Sequence, residues 1–196
     1  MISARLPTTE TIHKLLGERS TTEFSYPYVG ATREVMPDGY NVDRRSAIIG
    51  RGVADFERAK QSIRDWALFD LPWVRAFPGS ELAPGVLVAV VARIFGLWWT
   101  NVSRVVYVVD EAERFGFAYG TLDLHAESGE ELFEIERSCQ TDEVRFRIVA
   151  FSKPRHPLAK FGYPMSRAAQ RRFAIGSIEA MRRASNREGE HPSEGS

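Results

Sequence analysis

The sequence predicts an α+β protein in which a curved antiparallel sheet of six to seven strands wraps around one long C-terminal helix. Three observations lead to this prediction. Strand-like segments follow one another between residues 73 and 153 with connections too short for parallel crossovers. A long amphipathic segment comes after them, and it is large enough to cover one face of a sheet. Two glycines within one strand mark points where that sheet can bend.

The elements can be justified in chain order. A short helix is predicted at residues 8–19, where apolar residues recur on one helical face. Within residues 23–34 a strand is predicted that is broken by Pro27 and ends at Gly30, and residues 33–45 are turn-rich. An amphipathic helix begins after the GRG turn at residues 50–52 and stops near Pro72. The six strand candidates that come next are WVRAF, VLVAVVARI, SRVVYVV, RFGFAYGTL, EELFEIER and EVRFRIVAFSK.

The chain ends in the long helix, predicted at residues 156–184 from an apolar stripe at helical spacing. We therefore expect residues 1–185 to form a single domain, which a chain of 196 residues with 43% hydrophobic content can support. The polar segment 186–196 is predicted to be a disordered tail.

Charge and cysteine content narrow the classes of function. Lysine and arginine together number 26, as do aspartate and glutamate, so no global field favours a nucleic acid, and no nucleic-acid partner is expected. Cys139 is the one cysteine, which excludes an internal disulfide, and the N-terminus lacks the apolar stretch of a secretory signal. We expect a cytoplasmic protein with no metal and no cofactor.

The segment RFGFAYGTL contains the strongest indication of a site. In an extended strand, Phe115, Phe117 and Tyr119 share one face, while Gly116 and Gly120 lie on the other. Glycine on the reverse face favours bending, and a bent sheet is concave. The sequence therefore predicts a cavity between sheet and final helix, filled by rings from one side.

The candidate ligand-binding residues share an aromatic ring and a place in the predicted sheet or final helix. They are Trp98, Tyr107, Phe115, Phe117, Tyr119, Phe133, Phe161 and Tyr163. Pockets for small molecules are mostly apolar with a few placed polar groups, and a buried tyrosine hydroxyl can serve a ligand.

The candidate polar groups of the site are His125 and Arg147. His125 could act as a base oriented by one of the nearby glutamates, whereas an inward Arg147 would bind a carboxylate or phosphate. The alternative is that Arg147 and Arg145 point outward. With Phe133 directed inward, Glu134 and Glu136 are expected to be solvated.

Several stretches resemble domain-of-unknown-function family 1990, an uncharacterised bacterial and plant family. They are FSYPYVGATR, GYNVDRRSAIIGRGVADFERAKQSIRDWALFDLPWV, GLWWTNVSRVVYVVDE, RFGFAYGTL, GEELFEIER and FSKPRHPLAKFGYPMSRAAQRRF. The resemblance covers about residues 24–184 and implies a fold but not a reaction. The order of elements is also similar to the helix-grip superfamily of START and Bet v 1-like proteins, which typically bind lipids or other apolar molecules.

Three functions follow as hypotheses. The first is binding of an apolar or amphipathic, lipid-like small molecule in the cavity. The second is a cyclase- or hydrolase-like enzyme that uses His125 or a cavity tyrosine as acid or base. The third is an interaction module at an anionic membrane surface. It would use the basic residues of the C-terminal region: Lys153, Arg155, Lys160, Arg167, Arg171, Arg172, Arg182 and Arg183.

Overall fold

The computed structural model of the chain describes residues 1–123, 127–154 and 163–186, with side chains described for all of these except 163–166. The described elements are β1 (Ile2–Ser3), α1 (Thr9–Glu18), β2 (Asn41–Arg51), α2 (Gly52–Arg64), β3 (Val74–Pro78), β4 (Leu87–Ile94), β5 (Leu97–Asp110), β6 (Arg114–Thr121), β7 (Glu127–Arg137), β8 (Glu143–Pro154) and α3 (Tyr163–Ser185).

All the strands belong to one curved antiparallel sheet. The order across it is β2-β8-β7-β6-β5-β4-β3, and β1 pairs with β5 outside this path. The antiparallel meander predicted from β3 to β8 is confirmed. An edge of the sheet is formed by β2, which pairs with β8 and starts at Asn41, in a region predicted to be turn-rich.

The segment 23–34 is not the strand predicted for it. It contributes an isolated bridge between Phe24 and Leu122 and a 3₁₀ turn at Ala31–Arg33, with no ladder of its own. Proline lacks the N–H that a ladder position needs, which is consistent with Pro27 falling inside the segment. The contacts that fix this segment are side-chain hydrogen bonds to β7, described with the site.

The inner face of the sheet, defined as the face toward α2 and α3, carries the main core. Seven of its members come from β6, β7 and β8: Phe115, Phe117, Phe133, Ile135, Val144, Phe146 and Ile148. From the helical side, Phe56 and Ile63 of α2 pack on them together with Ala180 and Met181 of α3. Ser177 of α3 is buried, and its hydroxyl donates to the carbonyl of Leu68 at 2.9 Å. The second half of α3 is therefore packed against the core and hydrogen-bonded to the backbone at Leu68.

The opposite face, called the outer face below, is partly covered by α1 and by the segment 24–36. Ile12 and Leu16 of α1 pack on Ala89, Val91 and other residues of β4 and β5. None of the helices in the described ranges is long and apolar enough to span a membrane.

The glycines of β6 permit close approach on this outer face. A Cβ atom at Gly120 would lie 2.0 Å from the hydroxyl oxygen of Tyr26, and one at Gly116 would lie 2.2 Å from the carbonyl oxygen of Phe133. Neither distance is sterically allowed for a side chain. Glycine is therefore required at these two positions of β6, because β7 and Tyr26 occupy the space that a side chain would need.

Candidate functional site

A cavity of about 460 Å³ lies between the inner face and the first half of α3. Its volume falls within the range of roughly 300 to 1,000 Å³ that is typical of small-molecule pockets. The apolar residues of its wall include Phe69, Trp73, Val90, Ala92, Trp99, Tyr119, Ile148, Ala150, Ala169, Phe173 and Ala174. The charged and amide residues include Asp43, Arg45, Asn101, Glu127, Glu131, Arg167, Gln170 and Arg171.

The cavity exists because the inner face is unevenly filled. Under α2 the sheet presents phenylalanines that are completely buried against one another, with the ring centroids of Phe117 and Phe133 separated by 5.4 Å. Farther along the sheet, β4 and β8 present Ala92 and Ala150 instead, and α3 presents Ala169 above them. Small side chains on both layers leave space between the layers.

Two polar side chains meet on the wall of this cavity. Tyr119 and Glu131 are direct cross-strand partners on β6 and β7, and the tyrosine hydroxyl donates to Glu131 Oε2 at 3.0 Å. Strict alternation places both on the inner face with Phe117 and Phe133. Both side chains are half-buried, because the cavity reaches them from one side.

The environment makes Glu131 a weak acid. Burial raises the pKa of this carboxyl to about 7, the hydrogen bond from Tyr119 acts in the opposite direction, and the negative charges of Glu127 and Asp43 raise it further. Burial likewise raises the pKa of the Tyr119 hydroxyl well above its ordinary value, with the nearby Glu131 charge adding to the effect. Near neutral pH, Glu131 is therefore divided between its carboxylate and carboxylic acid forms.

The other acidic groups of the cavity are engaged. Arg167 donates to Asp43 from both terminal nitrogens, one of them at 2.6 Å, which ties α3 to β2. This hydrogen bonding is the main reason that the pKa of Asp43 is lowered. Glu127 accepts a hydrogen bond of 2.6 Å from Gln170 Nε2. The first half of α3 is thus held to the sheet by polar contacts across one side of the cavity.

Two further glutamates of β7 lie on the outer face and have a different environment. Glu130 is 2% exposed and accepts hydrogen bonds from the Tyr26 hydroxyl at 2.7 Å, from the backbone N–H groups of Gly30 and Thr32 at 2.7 and 3.1 Å, and from the Thr32 hydroxyl. This glutamate anchors the segment that failed to form a strand.

Glu134 is completely buried on the outer face and lies between two arginines. Arg147 Nε donates to Glu134 Oε1 at 2.7 Å, and an Arg114 terminal nitrogen donates to Oε2 at 2.8 Å. The prediction that Glu134 is solvated is therefore wrong, whereas Glu136 is exposed as expected. Arg145 is exposed as well.

The structure places the predicted aromatic residues in three environments. Tyr119 lines the cavity. Phe115, Phe117 and Phe133 lie on the inner face but are buried in the packed core beside the cavity. Trp98 lies on the outer face against the cluster under α1, and its neighbour Trp99 is the tryptophan on the cavity wall.

Two predicted residues are on the wrong side of the sheet for a role in the cavity. Arg147 lies on the outer face because Phe146 and Ile148, which alternate with it, point into the core. Tyr107 also lies outside, where its hydroxyl is 2.7 Å from the Thr32 hydroxyl. The β5–β6 register shifts between Val105 and Tyr107, so a bulge changes the phase of alternation just before this tyrosine.

The remaining predicted residues cannot be assigned to a place in the site. Phe161 and His125 lie outside the described residues, and the side chain of Tyr163 does too, although its backbone begins α3. The candidate site residue that sequence reasoning missed is Glu131. Its signal was available, because a period of two puts Glu131 on the same face as the inward Phe133. In the described part of the chain no group of three or more metal-ligating side chains is found.

Three basic residues of α3 have partners within the protein. Arg167 pairs with Asp43, the Arg172 guanidinium lies 4.6 Å from the ring centroid of Trp73, and Arg182 donates to the carbonyl of Ile48 at 3.1 Å. Arg155 and Lys160 lie outside the described residues. These three contacts stabilise the fold, whereas Arg171 and Arg183 are exposed on α3. The membrane-surface hypothesis stays a prediction.

An antiparallel sheet that holds a C-terminal helix above a cavity defines a helix-grip fold. Similar solved structures include a hypothetical protein from Helicobacter pylori, with a TM-score of 0.59 and 12% identity over 85% of this chain and 98% of that one. Another is the Zhui aromatase/cyclase of a Streptomyces species, with a TM-score of 0.53 and 12% identity over 76% of this chain and 94% of that one. At such identities the likeness shows the fold alone.

The chain belongs to the family described as Domain of unknown function (DUF1990), whose model matches residues 25–180. A UPF0548 protein of Dictyostelium discoideum is 30% identical over 206 residues, covering 94% of this chain and 95% of the relative. A UPF0548 protein of Deinococcus radiodurans is 38% identical over 150 residues, covering 70% and 75%. The family resemblance predicted from the sequence is therefore confirmed.

Proposed function

We propose that the protein binds an apolar or amphipathic small molecule in the cavity between the inner face and α3. The observation that carries this proposal is the cavity itself, which is of ligand size and has a mainly apolar wall. Burying the apolar surface of a ligand there contributes roughly 25 cal/mol per Å² removed from water.

The wall is also polarised in a way that fits an amphipathic ligand. Trp73, Phe173 and Trp99 offer rings for the apolar part of the molecule, whereas the Glu131 carboxyl offers one hydrogen-bonding group. A lipid-like molecule with a hydroxyl or carbonyl group matches this distribution. We place this binding in the cytoplasm, which is consistent with Cys139 being a free, exposed thiol.

A variant that fills the cavity tests the proposal. In Ala150→Phe the added ring would occupy the space beside Glu131, because Ala150 is the cross-strand partner of Glu131 on the inner face. The matched control is Ile175→Phe, since Ile175 is 60% exposed on α3. The measurement is the fluorescence of a naphthalene-type apolar probe titrated with each protein.

We expect the natural sequence and Ile175→Phe to bind the probe equally, and Ala150→Phe to bind it at least about tenfold more weakly. Native mass spectrometry of protein purified from its own host would then identify the resident molecule. Equal probe binding by Ala150→Phe, or no binding by the natural sequence, would show that the cavity is not the binding site.

A further inference from the structure

We propose that Glu131 is a general base that removes a proton from a carbon next to a carbonyl group of a molecule held in the cavity, with Tyr119 positioning the carboxylate. This inference rests on the proposed function, because the substrate must first enter the cavity. It adds a reaction to a binding site and names the class of substrate as an apolar carbonyl compound.

One carboxylate oxygen of Glu131 is free to act on a bound molecule. Oε2 accepts the hydrogen bond from Tyr119, whereas Oε1 has no hydrogen-bond partner in the described part of the chain. The two outer glutamates differ in this respect, since donors bind both oxygens of Glu130 and both oxygens of Glu134. A carboxylate with a spare oxygen on a cavity wall can accept a proton from a bound molecule.

A second feature of the site is the absence of an ion pair at Glu131. The other charged residues of the cavity wall are Asp43 and Arg45 from β2, Glu127 and Glu130 from β7, and Arg167 and Arg171 from α3. Arg167 is committed to Asp43, and within the described ranges Glu131 takes part in no ion pair. An unpaired carboxylate in apolar surroundings is a stronger base than one in water, as the pKa of about 7 indicates.

A third feature is the space beside Glu131. Its cross-strand partner on β8 is Ala150, a small residue on the same cavity wall. The space that a larger side chain would fill there lets a bound molecule bring a C–H group up to the carboxylate.

The reaction is balanced without an oxidant, a reductant or a second substrate. The Glu131 carboxylate takes the proton, the C–H electron pair becomes part of the enolate double bond, and the carbonyl electron pair moves to oxygen. In a substrate with a double bond next to that carbon, the carboxylic acid then returns the proton to the far carbon of the conjugated system. The net result is double-bond isomerisation.

A nitrobenzisoxazole tests Glu131 without knowledge of the natural substrate. A base removes the ring C–H proton, the released electron pair forms a nitrile, and the N–O bond breaks to give a coloured nitrophenolate. We expect saturable turnover by the natural sequence, and kcat/KM lowered about a hundredfold or more in Glu131→Gln. The control Glu136→Gln should leave the rate unchanged, because Glu136 is exposed outside the cavity.

The pH profile separates a chemical role from a structural one. We expect the rate of the natural sequence to rise with pH with a midpoint of about 7, where the Glu131 carboxyl loses its proton. In Tyr119→Phe the midpoint should move to higher pH, since the lost hydrogen bond was lowering the pKa of Glu131. A merely structural role for Tyr119 would lower the rate and leave the midpoint in place.

Binding of the apolar fluorescent probe distinguishes this inference from the proposed function. Glu131→Gln should bind the probe as well as the natural sequence does while losing turnover. Turnover that is equal in the natural sequence and Glu131→Gln would overturn the inference, whether both rates are high or both are at background. Intact probe binding in that experiment would leave the proposed function standing, whereas lost binding in both proteins would remove it as well.

Discussion

On the outer face of β7, Glu130 and Glu134 are surrounded by donors, whereas Glu131 on the inner face has one tyrosine hydroxyl and two negatively charged neighbours. The three residues lie within five positions of one strand, so local sequence does not distinguish them. Strand alternation decides which face each side chain reaches, and the opposing layer decides how many donors it meets. Glu130 and Glu134 accept hydrogen bonds on both carboxylate oxygens and stabilise the fold. Glu131 accepts one on a single oxygen, so its other oxygen is available to a bound molecule.

Among these glutamates, replacing Glu130 should have the largest effect on stability. In Glu130→Ala the Tyr26 hydroxyl, the Thr32 hydroxyl and two backbone N–H groups lose their acceptor inside the protein. We expect the free energy of unfolding to fall by about 3 to 5 kcal/mol, because buried donors would be left unsatisfied. Urea denaturation followed by circular dichroism measures it, and a loss below about 1 kcal/mol would contradict the anchoring role.

Replacing Glu131 should raise the free energy of unfolding, and the size of the increase should depend on pH. The pKa of Glu131 is about 7 in the folded protein against an ordinary value of 4.5, so the folded state binds the proton more tightly than the unfolded chain. Its contribution to stability is therefore largest below pH 4.5 and is lost as pH rises through about 7.

We expect Glu131→Gln to be more stable than the natural sequence by up to about 3 kcal/mol above neutral pH, with the difference shrinking in acid. Denaturation of both proteins at a series of pH values gives this difference directly. A difference that does not vary between mildly acidic and mildly alkaline pH would mean that Glu131 titrates normally.

Replacing Glu134 should lower the free energy of unfolding by less than replacing Glu130. Each arginine that pairs with it keeps 37% of its side chain exposed, so Arg114 and Arg147 can regain water when the carboxylate is removed. We expect Glu134→Ala to lower the free energy of unfolding by about 1 to 3 kcal/mol. A loss as large as that of Glu130→Ala would show that solvent does not reach the two guanidinium groups.

The smallest effect should come from a neighbour of Glu131. The negative charge of Glu127 helps to raise the pKa of Glu131, so Glu127→Gln should lower that pKa without removing the contribution of burial. We expect the loss of stability that accompanies ionisation of Glu131 to occur at lower pH in Glu127→Gln than in the natural sequence. Denaturation at a series of pH values measures it. A shift toward alkaline pH would mean that the two carboxyls do not interact as the structure places them.

Much of the fold could be predicted because its pattern is local. Alternation in β6 put Phe115, Phe117 and Tyr119 on the inner face, and the six consecutive strand candidates all lie in the sheet. Residues 23–34 were predicted wrongly because their conformation depends on Glu130, about a hundred positions away in the chain. The sequence of that segment alone does not indicate that Glu130 binds it.

The site could be predicted less completely, for two physical reasons. The bulge between Val105 and Tyr107 reverses the face of Tyr107, and no glycine at the bulge announces it. The size of the cavity depends on where α3 rests above Ala92 and Ala150, which is a matter of tertiary packing. Glu131 itself could have been found by applying to the glutamates the alternation that was applied to the rings.

The most direct test of the account is a carbon NMR titration of the Glu131 side-chain carboxyl, with its signal assigned by its loss in Glu131→Gln. The account predicts a midpoint of about pH 7 in the empty protein and a changed midpoint when an apolar carbonyl compound occupies the cavity. A midpoint near the ordinary value of 4.5, unaffected by such a compound, would contradict it.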